Sequence, residues 1–488
     1  MMTREDYIKQ YPGHASMREN VKKDPNRLNY HLMPPTGWMN DPNGLCQKDG
    51  IYHIYFQYSP YNSGWDTKLW GHYTTSDFLE FKEEEPFLFS DTESDRDGVY
   101  SGSALIDNNE IHYYYTGNVK LHDRKDYDYI NEGREQNTIH FVSKEGIEAG
   151  EKKVVLRNQD YPKEMSAHVR DPRVFKKEEL YYMLLGGRTR ANKGCVLLYR
   201  SRNLEQFEYC SQITTKQAFG YMWECPDMFE LDGQNFLAVC PQGVKTKRYE
   251  FENVYQSGYF PIEYDFQCNR GSLGKFKEFD RGFDFYAPQT FEDERGRRIL
   301  LAWMGIPDAD YHNQPTIEYD WQHCMTMPRQ LSFRDGQIYQ QPLEEMKELR
   351  REMWQGSIQE ANQKIPSGTC FEMKIEFKTL REFSIQIRKD VWLNWQDKVL
   401  CLKMGECGCG RKSRHVKMEE VRNLTVFSDT SSLEIFVNDG QEVFTTRVYQ
   451  NGEEQHPKFQ AENEGLVTYY RLAAYTIKWK DSNAENRQ

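Results

Sequence analysis

The sequence predicts an all-β protein: a five-bladed β-propeller followed by a C-terminal β-sandwich. Through residue 340, the 488-residue chain consists of short runs rich in β-branched and aromatic residues, bounded by turn residues, which is typical of strands. Because no long helical periodicity separates these runs, a large sandwich, a barrel or a propeller is favoured over an α/β fold. Turn-like polar motifs recur around Asp41, Ser101, Asp171, Glu224 and Asp284, at intervals of 60, 70, 53 and 60 residues. Since roughly 60 residues accommodate four strands with their loops, this period favours five propeller blades.

The strand runs fall into two series. Those of the first series are IYHIYFQY (51–58), EIHYYYTG (110–117), LYYMLLGG (180–187), NFLAVCPQG (235–243) and RILLAWMG (298–305). Those of the second series are FEMKIEF (371–377), FSIQI (383–387), KVLCL (398–402), NLTVF (423–427), SLEIFV (432–437) and EVFTTRVY (442–449). Regular short strands over roughly the last 130 residues predict the β-sandwich.

A change of pattern separates the two series. Leu343, Met346, Leu349 and Met353 repeat every three to four residues, which predicts a short amphipathic helix over 341–355 as a connector. The predicted organisation is given by the following ranges: an N-terminal extension (1–26), the propeller as catalytic domain (27–340), the connecting helix (341–355) and the sandwich (356–488). Because the connector is not a Gly/Ser-rich linker, we expect the sandwich to pack stably on the propeller.

The composition limits the classes of binding partner and the cellular compartment that are expected. The formal net charge of −12 disfavours a global nucleic-acid or anionic-membrane binder, so a small molecule is the expected partner; the oligomeric state stays open. No apolar run approaches the length that spans a bilayer, and the N-terminal 25 residues contain no apolar core of a secretory signal. Eleven cysteines, an odd number, fit free thiols in a reducing compartment. We therefore expect a cytoplasmic protein.

Three acidic residues stand in unusual contexts. Asp41 lies in GWMNDPNG (37–44) and Asp171 in Arg-Asp-Pro; both also fit turn residues, Asp41 in an Asx turn and Asp171 in a salt bridge to an arginine. Glu224, in WECPD (223–227), lies between Trp and Cys-Pro, where partial burial would raise the pKa of its carboxyl as a general acid needs. Together they suggest a paired-carboxylate glycosidase.

Other chemistries find less support in the sequence. Ser101, in YSGSA, lacks the G-x-S-x-G nucleophile elbow, and the dinucleotide, P-loop and H-E-x-x-H motifs are absent. The 12 histidines contain no close pair at metal-ligand spacing. The cysteines 401, 407 and 409 form a cluster without a second ligand pair at zinc spacing. Neither a metal nor an organic cofactor is expected, since carboxylates supply both the nucleophile and the proton transfer.

The chain resembles the glycoside hydrolase family 32 β-fructosidases, a family of invertases, sucrose-6-phosphate hydrolases and fructanases. The resemblance starts with YHLMPPTGWMNDPNG (30–44) and spans about residues 27–475. The later blocks are YFQY (55–58), WGHYTTSD (70–77), SGSA (101–104), TGNV (116–119), RDPRVF (170–175), WECPD (223–227), PQG (241–243), DFYAPQTF (284–291), AWMG (302–305), MPRQL (327–331) and SLEIFVNDGQEVFTTRVY (432–449). The family fold, a five-bladed propeller followed by a β-sandwich, agrees with the fold predicted above.

The resemblance implies a role for each acidic residue. Asp41 would be the nucleophile that attacks the fructosyl anomeric carbon, Glu224 the acid/base, and Asp171 the stabiliser of the transition state. A retaining mechanism of this kind requires the two catalytic carboxyls to lie about 5–5.5 Å apart. The positions that match the fructose pocket are Asn40, Gln57, Trp65, Ser103 and Arg170.

The leaving-group side departs from the family pattern. Tyr73 stands where a small residue is more usual, Arg188 where a glutamine is frequent, and the segment 121–136 is long and charged. Six basic residues could furnish an anion site there, or could be solvated loop charges: Arg188, Arg190, Lys193, Lys245, Lys247 and Arg248.

The function implied is a β-fructofuranosidase that hydrolyses sucrose, sucrose 6-phosphate or both through a covalent fructosyl-enzyme. A fructo-oligosaccharide exo-hydrolase or a fructosyltransferase is the alternative, because motifs near the nucleophile do not decide between water and a sugar as acceptor. A non-catalytic sugar-binding propeller is the alternative from another class, and it is disfavoured because all three carboxylates are present.

Overall fold

The computed structural model describes residues 1–64, 66–123, 127–450 and 456–478. Strands account for 52% of the described residues and helices for 9%, which confirms the all-β class. Helix α1 (Arg4–Val21) opens the chain, and Thr3 caps it by accepting a hydrogen bond from the backbone N–H of Asp6. Two short helices follow much later, α2 (Gln314–Ile317) and α3 (Ile358–Lys364).

Five antiparallel sheets form the blades of a propeller, as predicted. The strands of the first three blades are β1 (Gly37–Lys48), β2 (Ile51–Ser59), β3 (Leu69–Thr75), β4 (Glu80–Glu83), β5 (Val99–Asp107), β6 (Glu110–Lys120), β7 (Arg134–Ser143), β8 (Lys153–Leu156), β9 (Met165–Lys177), β10 (Leu180–Thr189), β11 (Gly194–Ser201) and β12 (Glu208–Ile213). The strands of the last two blades are β13 (Met222–Leu231), β14 (Gln234–Gln242), β15 (Gly258–Asp265), β16 (Arg270–Leu273), β17 (Lys277–Glu278), β18 (Tyr286–Glu292), β19 (Arg298–Met304), β21 (Cys324–Met325), β22 (Arg329–Arg334) and β23 (Gln337–Pro342). The short strand β20 (Trp321–Gln322) belongs to the sheet of the first blade.

Two further sheets form the C-terminal sandwich. Their strands are β24 (Arg350–Ser357), β25 (Phe371–Phe377), β26 (Phe383–Arg388), β27 (Val391–Gln396), β28 (Val399–Met404), β29 (Ser413–Lys417), β30 (Asn423–Asp429), β31 (Ser432–Val437), β32 (Glu442–Arg447), β33 (Lys458–Ala461) and β34 (Gly465–Leu472). A last strand, β35 (Thr476–Lys478), leaves the sandwich and pairs in parallel with β4 of the first blade. Strand β35 thus extends the sheet in which the propeller begins.

The propeller core lies between neighbouring blades. Alternate side chains of each strand point to opposite faces of its sheet, so each blade presents one apolar face to either neighbour. Between blades three and four, for example, Leu184 and Val196 pack against Trp223, Leu237 and their neighbours. A corresponding cluster joins blade five to blade one and extends to the sandwich residues Phe427 and Phe436. The ring therefore closes by apolar packing, assisted by the parallel pairing of β20 with β1.

The innermost strand of every blade carries a β-bulge at an equivalent position. The register shifts lie between Met39 and Pro42, Val99 and Gly102, Glu224 and Asp227, and Tyr286 and Gln289 in four of these strands. In the third blade the shift falls opposite the step from Leu184 to Gly186, which places it at 170–173 of β9. A bulge re-aims the side chains beside it. The five sequence anchors thus lie in or close to five bulged segments around one axis.

The predicted connecting helix over 341–355 is not formed. A 3₁₀-helix covers Glu344–Leu349, and β24 begins directly after it. Leu343, Met346 and Leu349 are buried as the pattern predicted, but Met353 is 61% exposed. The helix stops because Arg350–Ser357 pairs with β34, and a ladder of backbone hydrogen bonds there outweighs a weak helical period.

Buried charges join the two domains. His31 binds Asp429 through Nδ1 at 2.9 Å and Glu434 through Nε2 at 3.0 Å, and all three side chains are fully buried. Since both ring nitrogens face carboxylates, the imidazole is doubly protonated, and these bonds raise its pKa despite burial. Arg329 completes the group by pairing with Glu434. The sandwich therefore contacts the propeller through a desolvated ionic network as well as apolar surface.

His31→Ala should lower the free energy of unfolding by about 3–5 kcal/mol, because two buried carboxylates lose their cation. The raised pKa of His31 gives stability that is present below pH about 6.5 and lost as the pH rises through the folded pKa. The pKa of Asp429, lowered to about 2 chiefly by the His31 bond against burial, gives stability that is present above pH about 4 and lost on acidification. Denaturant unfolding between pH 3 and 8 measures both, and the loss should be greatest between pH about 4 and 6.5. His122→Ala, at an exposed position, is the control; equal stability of the two variants would contradict the role of the network.

All 11 cysteines are free thiols. Among the helices of the described ranges, none is long and apolar enough to cross a bilayer.

Candidate active site

A cavity of about 510 Å³ opens on the propeller axis, where the five bulged strands meet. Each blade contributes a side chain to its wall: Asp41, Ser101, Asp171, Glu224 and Tyr286 from blades one to five. Strands from different blades converge there, which explains how carboxylates more than 180 residues apart in sequence share one site. The three acidic residues singled out from the sequence all line this cavity.

Hydrogen bonds hold the Asp41 carboxylate at the inner end of the cavity. Ser101 donates from Oγ to Oδ2 at 2.6 Å, and Asn40 donates from Nδ2 to Oδ1 at 3.0 Å. The Asn40 amide is itself fixed, because its Oδ1 accepts a hydrogen bond from the Trp38 indole at 2.7 Å. Burial raises the pKa of Asp41, and the nearby Glu224 charge adds to this, while the Ser101 and Asn40 donors oppose it. The carboxylate is thus oriented by neutral donors.

Glu224 is held by three neighbours. Arg170 donates to its Oε1 from Nε at 3.0 Å and from Nη2 at 2.5 Å. Gln242 Nε2 and the Tyr286 hydroxyl each donate to Oε2 at 2.7 Å. The Glu224 side chain remains 14% exposed, so a ligand in the cavity can reach it. Its orientation is therefore fixed from blades three, four and five.

Asp171 occupies a backbone conformation that few side chains adopt. Its φ is 63°, in the left-handed region where Asn and Asp are the best tolerated non-glycine residues. Its N–H donates to Thr116 Oγ1, and its Oδ2 accepts from the Cys225 N–H, both at 2.9 Å. The Cys225 sulfur lies 3.7 Å from this Oδ2 and 3.8 Å from Asp41 Oδ2. One thiol thus touches both carboxylates.

The three carboxylates are electrostatically coupled. Burial raises the pKa of Asp171 to about 7; Arg170 opposes this shift, while the charges of Glu224 and Asp41 add to it. A pKa of about 7 means that Asp171 is partly protonated near neutral pH. Such a cluster can supply both a carboxylate and a carboxylic acid at the same pH, which is the requirement of acid/base chemistry.

Asp171→Asn should stabilise the fold at neutral and alkaline pH. Below pH about 4 the carboxyl is protonated in both the folded and the unfolded state, so it contributes nothing. Between pH 4 and 7 the unfolded chain ionises while the folded carboxyl, with its pKa of about 7, resists, so the wild type loses stability. The amide has no such cost and tolerates positive φ.

The gain should grow to a few kcal/mol by pH 8, measured by thermal unfolding from pH 4 to 8. Asp310→Asn, at an exposed position, is the control. A difference from wild type that does not increase with pH would contradict the raised pKa.

The other residues predicted for the pocket are only partly found there. Asn40, Gln57 and Arg170 line the cavity. Trp65 lies outside the described residues. Ser103 is buried away from the cavity, where it donates to the backbone carbonyl of Pro172 at 2.8 Å. The residue of that motif which reaches the cavity is Ser101.

The bulge in β5 explains the exchange of serines. Residues 101 and 103 would share a face of a regular strand. The register shift between Val99 and Gly102 interrupts this alternation, so Ser101 turns to the axis and Ser103 into the space beside blade three. Gln242 and Tyr286 were also missed. The sequence feature that could have indicated them is their position in the blocks PQG and DFYAPQTF, each of which contains a proline.

The cavity contains no obvious metal-ligand set. Within the described ranges, no group of three His, Cys, Asp or Glu residues is placed to hold a metal ion. The donors around the carboxylates are amides, hydroxyls, a backbone N–H and one guanidinium, which suit the hydroxyl groups of a polar organic ligand.

Comparisons with known proteins agree with this arrangement. Residues 31–342 match the N-terminal domain of glycosyl hydrolases family 32, and residues 344–476 match the C-terminal domain. The chain is 40% identical over 443 residues to a sucrose-6-phosphate hydrolase of Bacillus subtilis (strain 168). This alignment covers 88% of this chain and 90% of that protein. It is 34% identical over 481 residues to a sucrose-6-phosphate hydrolase of Staphylococcus xylosus, covering 95% and 94% of the two chains.

Solved structures show the same likeness. The structure of sucrose-6-phosphate hydrolase from Lactobacillus gasseri matches with a TM-score of 0.88 at 25% identity, over 97% of this chain and all of that one. A mutant of the Bombyx mori family 32 β-fructofuranosidase, in complex with sucrose, matches with a TM-score of 0.83 at 27% identity and the same coverage. The two family domains together span nearly the whole chain, and it therefore belongs to glycosyl hydrolase family 32.

Proposed function

We propose that this chain is a retaining β-fructofuranosidase that hydrolyses sucrose and sucrose 6-phosphate to fructose and glucose or glucose 6-phosphate. The observation that carries the proposal is the division of the carboxylates in one cavity. Asp41 is oriented by neutral donors, whereas Glu224 is held by Arg170, Gln242 and Tyr286. Relatives named sucrose-6-phosphate hydrolase support the choice of substrate.

In the first step, Asp41 attacks the anomeric carbon of the fructosyl group and forms an ester. Glu224 donates its proton to the glycosidic oxygen, and the glucosyl group leaves as an alcohol. Ser101 and Asn40 hold the attacking carboxylate in place, so it loses little orientational freedom on reaching the transition state. In the second step, Glu224 takes a proton from water, and the resulting attack on the anomeric carbon releases Asp41.

Asp171 stabilises the transition state by accepting hydrogen bonds from fructosyl hydroxyls. Such donors favour the ionised form of Asp171, so substrate binding lowers its pKa. A carboxyl whose pKa is raised to about 7 in the free site is therefore compatible with catalysis at neutral pH.

The experiment compares kcat/KM for sucrose, sucrose 6-phosphate and 1-kestose under identical conditions. Release of glucose or glucose 6-phosphate from the first two at a higher rate than release of fructose from 1-kestose is expected. Preference for 1-kestose would favour an exo-hydrolase of fructo-oligosaccharides. Transfer products at high sucrose concentration would identify a fructosyltransferase, and no turnover of any of the three would indicate a non-catalytic sugar-binding protein.

A cytoplasmic location completes the proposal. The 11 free thiols fit a reducing compartment. A phosphorylated sugar is an intracellular substrate, because its charge prevents it from crossing a membrane unaided.

A further inference from the structure

The part of the cavity beyond Glu224 is lined by two arginines that form no ion pair with the residues that the structure describes, and the Asp308 carboxylate on that side accepts from the Tyr255 hydroxyl at 2.7 Å. Arg134 and Arg188 both line it, together with His168 and Tyr129. Both guanidinium groups are close enough to His168 to help lower the pKa of its ring to about 2, an effect led by burial. The imidazole is therefore neutral, and its Nδ1 accepts a hydrogen bond from Arg170 at 2.9 Å. His168 adds no negative charge to balance the arginines.

Arg134 is a buried cation without a carboxylate partner among the described residues. It is 4% exposed, and its guanidinium lies 4.2 Å from the centroid of the Tyr129 ring. Its Nε is buried and has no hydrogen-bond partner in the part of the chain that the structure describes. A guanidinium has five N–H donors in a planar fork, and burying it without an acceptor is costly. An anion in the cavity would balance its charge.

Arg188 approaches the same space from β10. Its Nε and Nη2 donate to Asn192 Oδ1 at 2.9 and 2.5 Å, and its guanidinium lies 4.5 Å from the centroid of the Tyr221 ring. The Asn192 amide and the Tyr221 ring fix the orientation of this guanidinium, but neither carries a negative charge that would neutralise it. Both arginines are thus positioned by neutral groups.

The two arginines lie on the leaving-group side of the site. Along β9, His168 precedes Arg170 by two residues, on the side away from Asp171. Gly187 of β10 pairs with Val169 of β9, so Arg188 begins beside His168. A fructosyl group held at Asp41 and Asp171 therefore places its glycosidic oxygen at Glu224 and its glucosyl group towards these cations.

We propose that Arg134 and Arg188 form a subsite for the 6-phosphate of the glucosyl leaving group, an inference that rests on the proposed function. Guanidinium forks match phosphate oxygens with paired, charge-assisted hydrogen bonds. The Tyr129 ring supports Arg134, and the Tyr221 ring supports Arg188. A phosphate would balance the charge of the two guanidinium groups, whereas the uncharged hydroxyl of sucrose would not.

This assignment refines the set of six basic residues noted in the sequence. Arg188 is the member that lines the cavity. Arg190 pairs instead with Glu132 at 2.8 Å, and Lys247 lies against the Phe251 ring. Arg134 was not in that set, because its burial without a carboxylate partner among the described residues is visible only in three dimensions.

The test is kcat/KM for sucrose 6-phosphate and for sucrose in Arg134→Gln, Arg188→Gln and the double variant. Each single change should lower the value for sucrose 6-phosphate by about 10- to 100-fold, the worth of a charge-assisted hydrogen bond. The value for sucrose should stay within about threefold. Arg190→Gln, at an exposed arginine with an ion pair, is the matched control and should alter neither.

Equal losses for both substrates would show a merely structural role, and unchanged values for both would exclude the subsite. If the buried Arg134 variant fails to fold, Arg188→Gln and product inhibition of the wild type still decide. Glucose 6-phosphate should inhibit at least tenfold more strongly than glucose, and equal inhibition constants would overturn the proposal. Wild-type sucrose hydrolysis without these differences would leave the β-fructofuranosidase proposal standing, while the absence of turnover of either sugar would refute that proposal itself.

Discussion

Asp41→Asn is expected to reduce sucrose hydrolysis by at least about 10⁴-fold, because an amide cannot form the fructosyl ester. The change is nearly isosteric, and the amide can still accept the hydrogen bond from Ser101. Binding of sugar should therefore persist while turnover is lost. Steady-state glucose release measures the rate, and calorimetric binding of sucrose to the variant measures the affinity.

Asp310→Asn, an exposed aspartate, is the matched control and should retain full activity. Full activity of Asp41→Asn, with deamidation excluded, would rule out Asp41 as the nucleophile. Stereochemistry provides an independent check: the first-formed fructose should keep the anomeric configuration of the substrate. An inverted product would require direct attack by water instead of a covalent intermediate.

Glu224→Gln is expected to lower kcat with sucrose by about 10²–10⁴-fold, the usual worth of general acid–base catalysis. The loss in the first step should be much smaller with a fructosyl fluoride, whose leaving group needs little protonation. The glutamine keeps an acceptor oxygen for Arg170 but carries no proton that it can donate to the substrate. Burst kinetics with the fluoride separate formation of the ester from its hydrolysis.

Glu230→Gln is the matched control, since Glu230 is exposed on the same strand, β13. An equal loss of rate in the first step with sucrose and with the fluoride would contradict the role of Glu224 as the acid. It would point instead to a change in the position of Arg170, which shares its guanidinium between Glu224 and His168.

The sequence predicted the parts of this protein that local patterning controls. The strand runs and the recurring anchors were enough for the fold class, because a blade is a local unit of about 60 residues. Asp41, Asp171 and Glu224 were recognisable because each stands next to or near a proline in a short motif, and all three line the cavity. Their chemical roles remain predictions until the variants are measured.

What the sequence did not predict depends on long-range geometry. The bulge that exchanges Ser101 for Ser103 cannot be read from alternation, since one extra residue reverses the face of every residue beyond it. The second part of the connector, from Arg350, is a strand because β34, more than 100 residues later, offers it a partner. That Arg134 finds no carboxylate partner among the described residues is likewise a property of the folded cavity and not of its neighbours in sequence.

The ionic contact of His31 also determines when, during synthesis of the chain, this part of the fold can form. Its partner Glu434 lies 403 residues further along the chain, so at about 5–20 residues per second the ribosome needs roughly 20–80 s to deliver it. Strand β35, which extends the sheet of the first blade, emerges later still. The sheet of the first blade is thus complete only after residue 478 has been synthesised, and until then β4 lacks the strand that pairs with its edge.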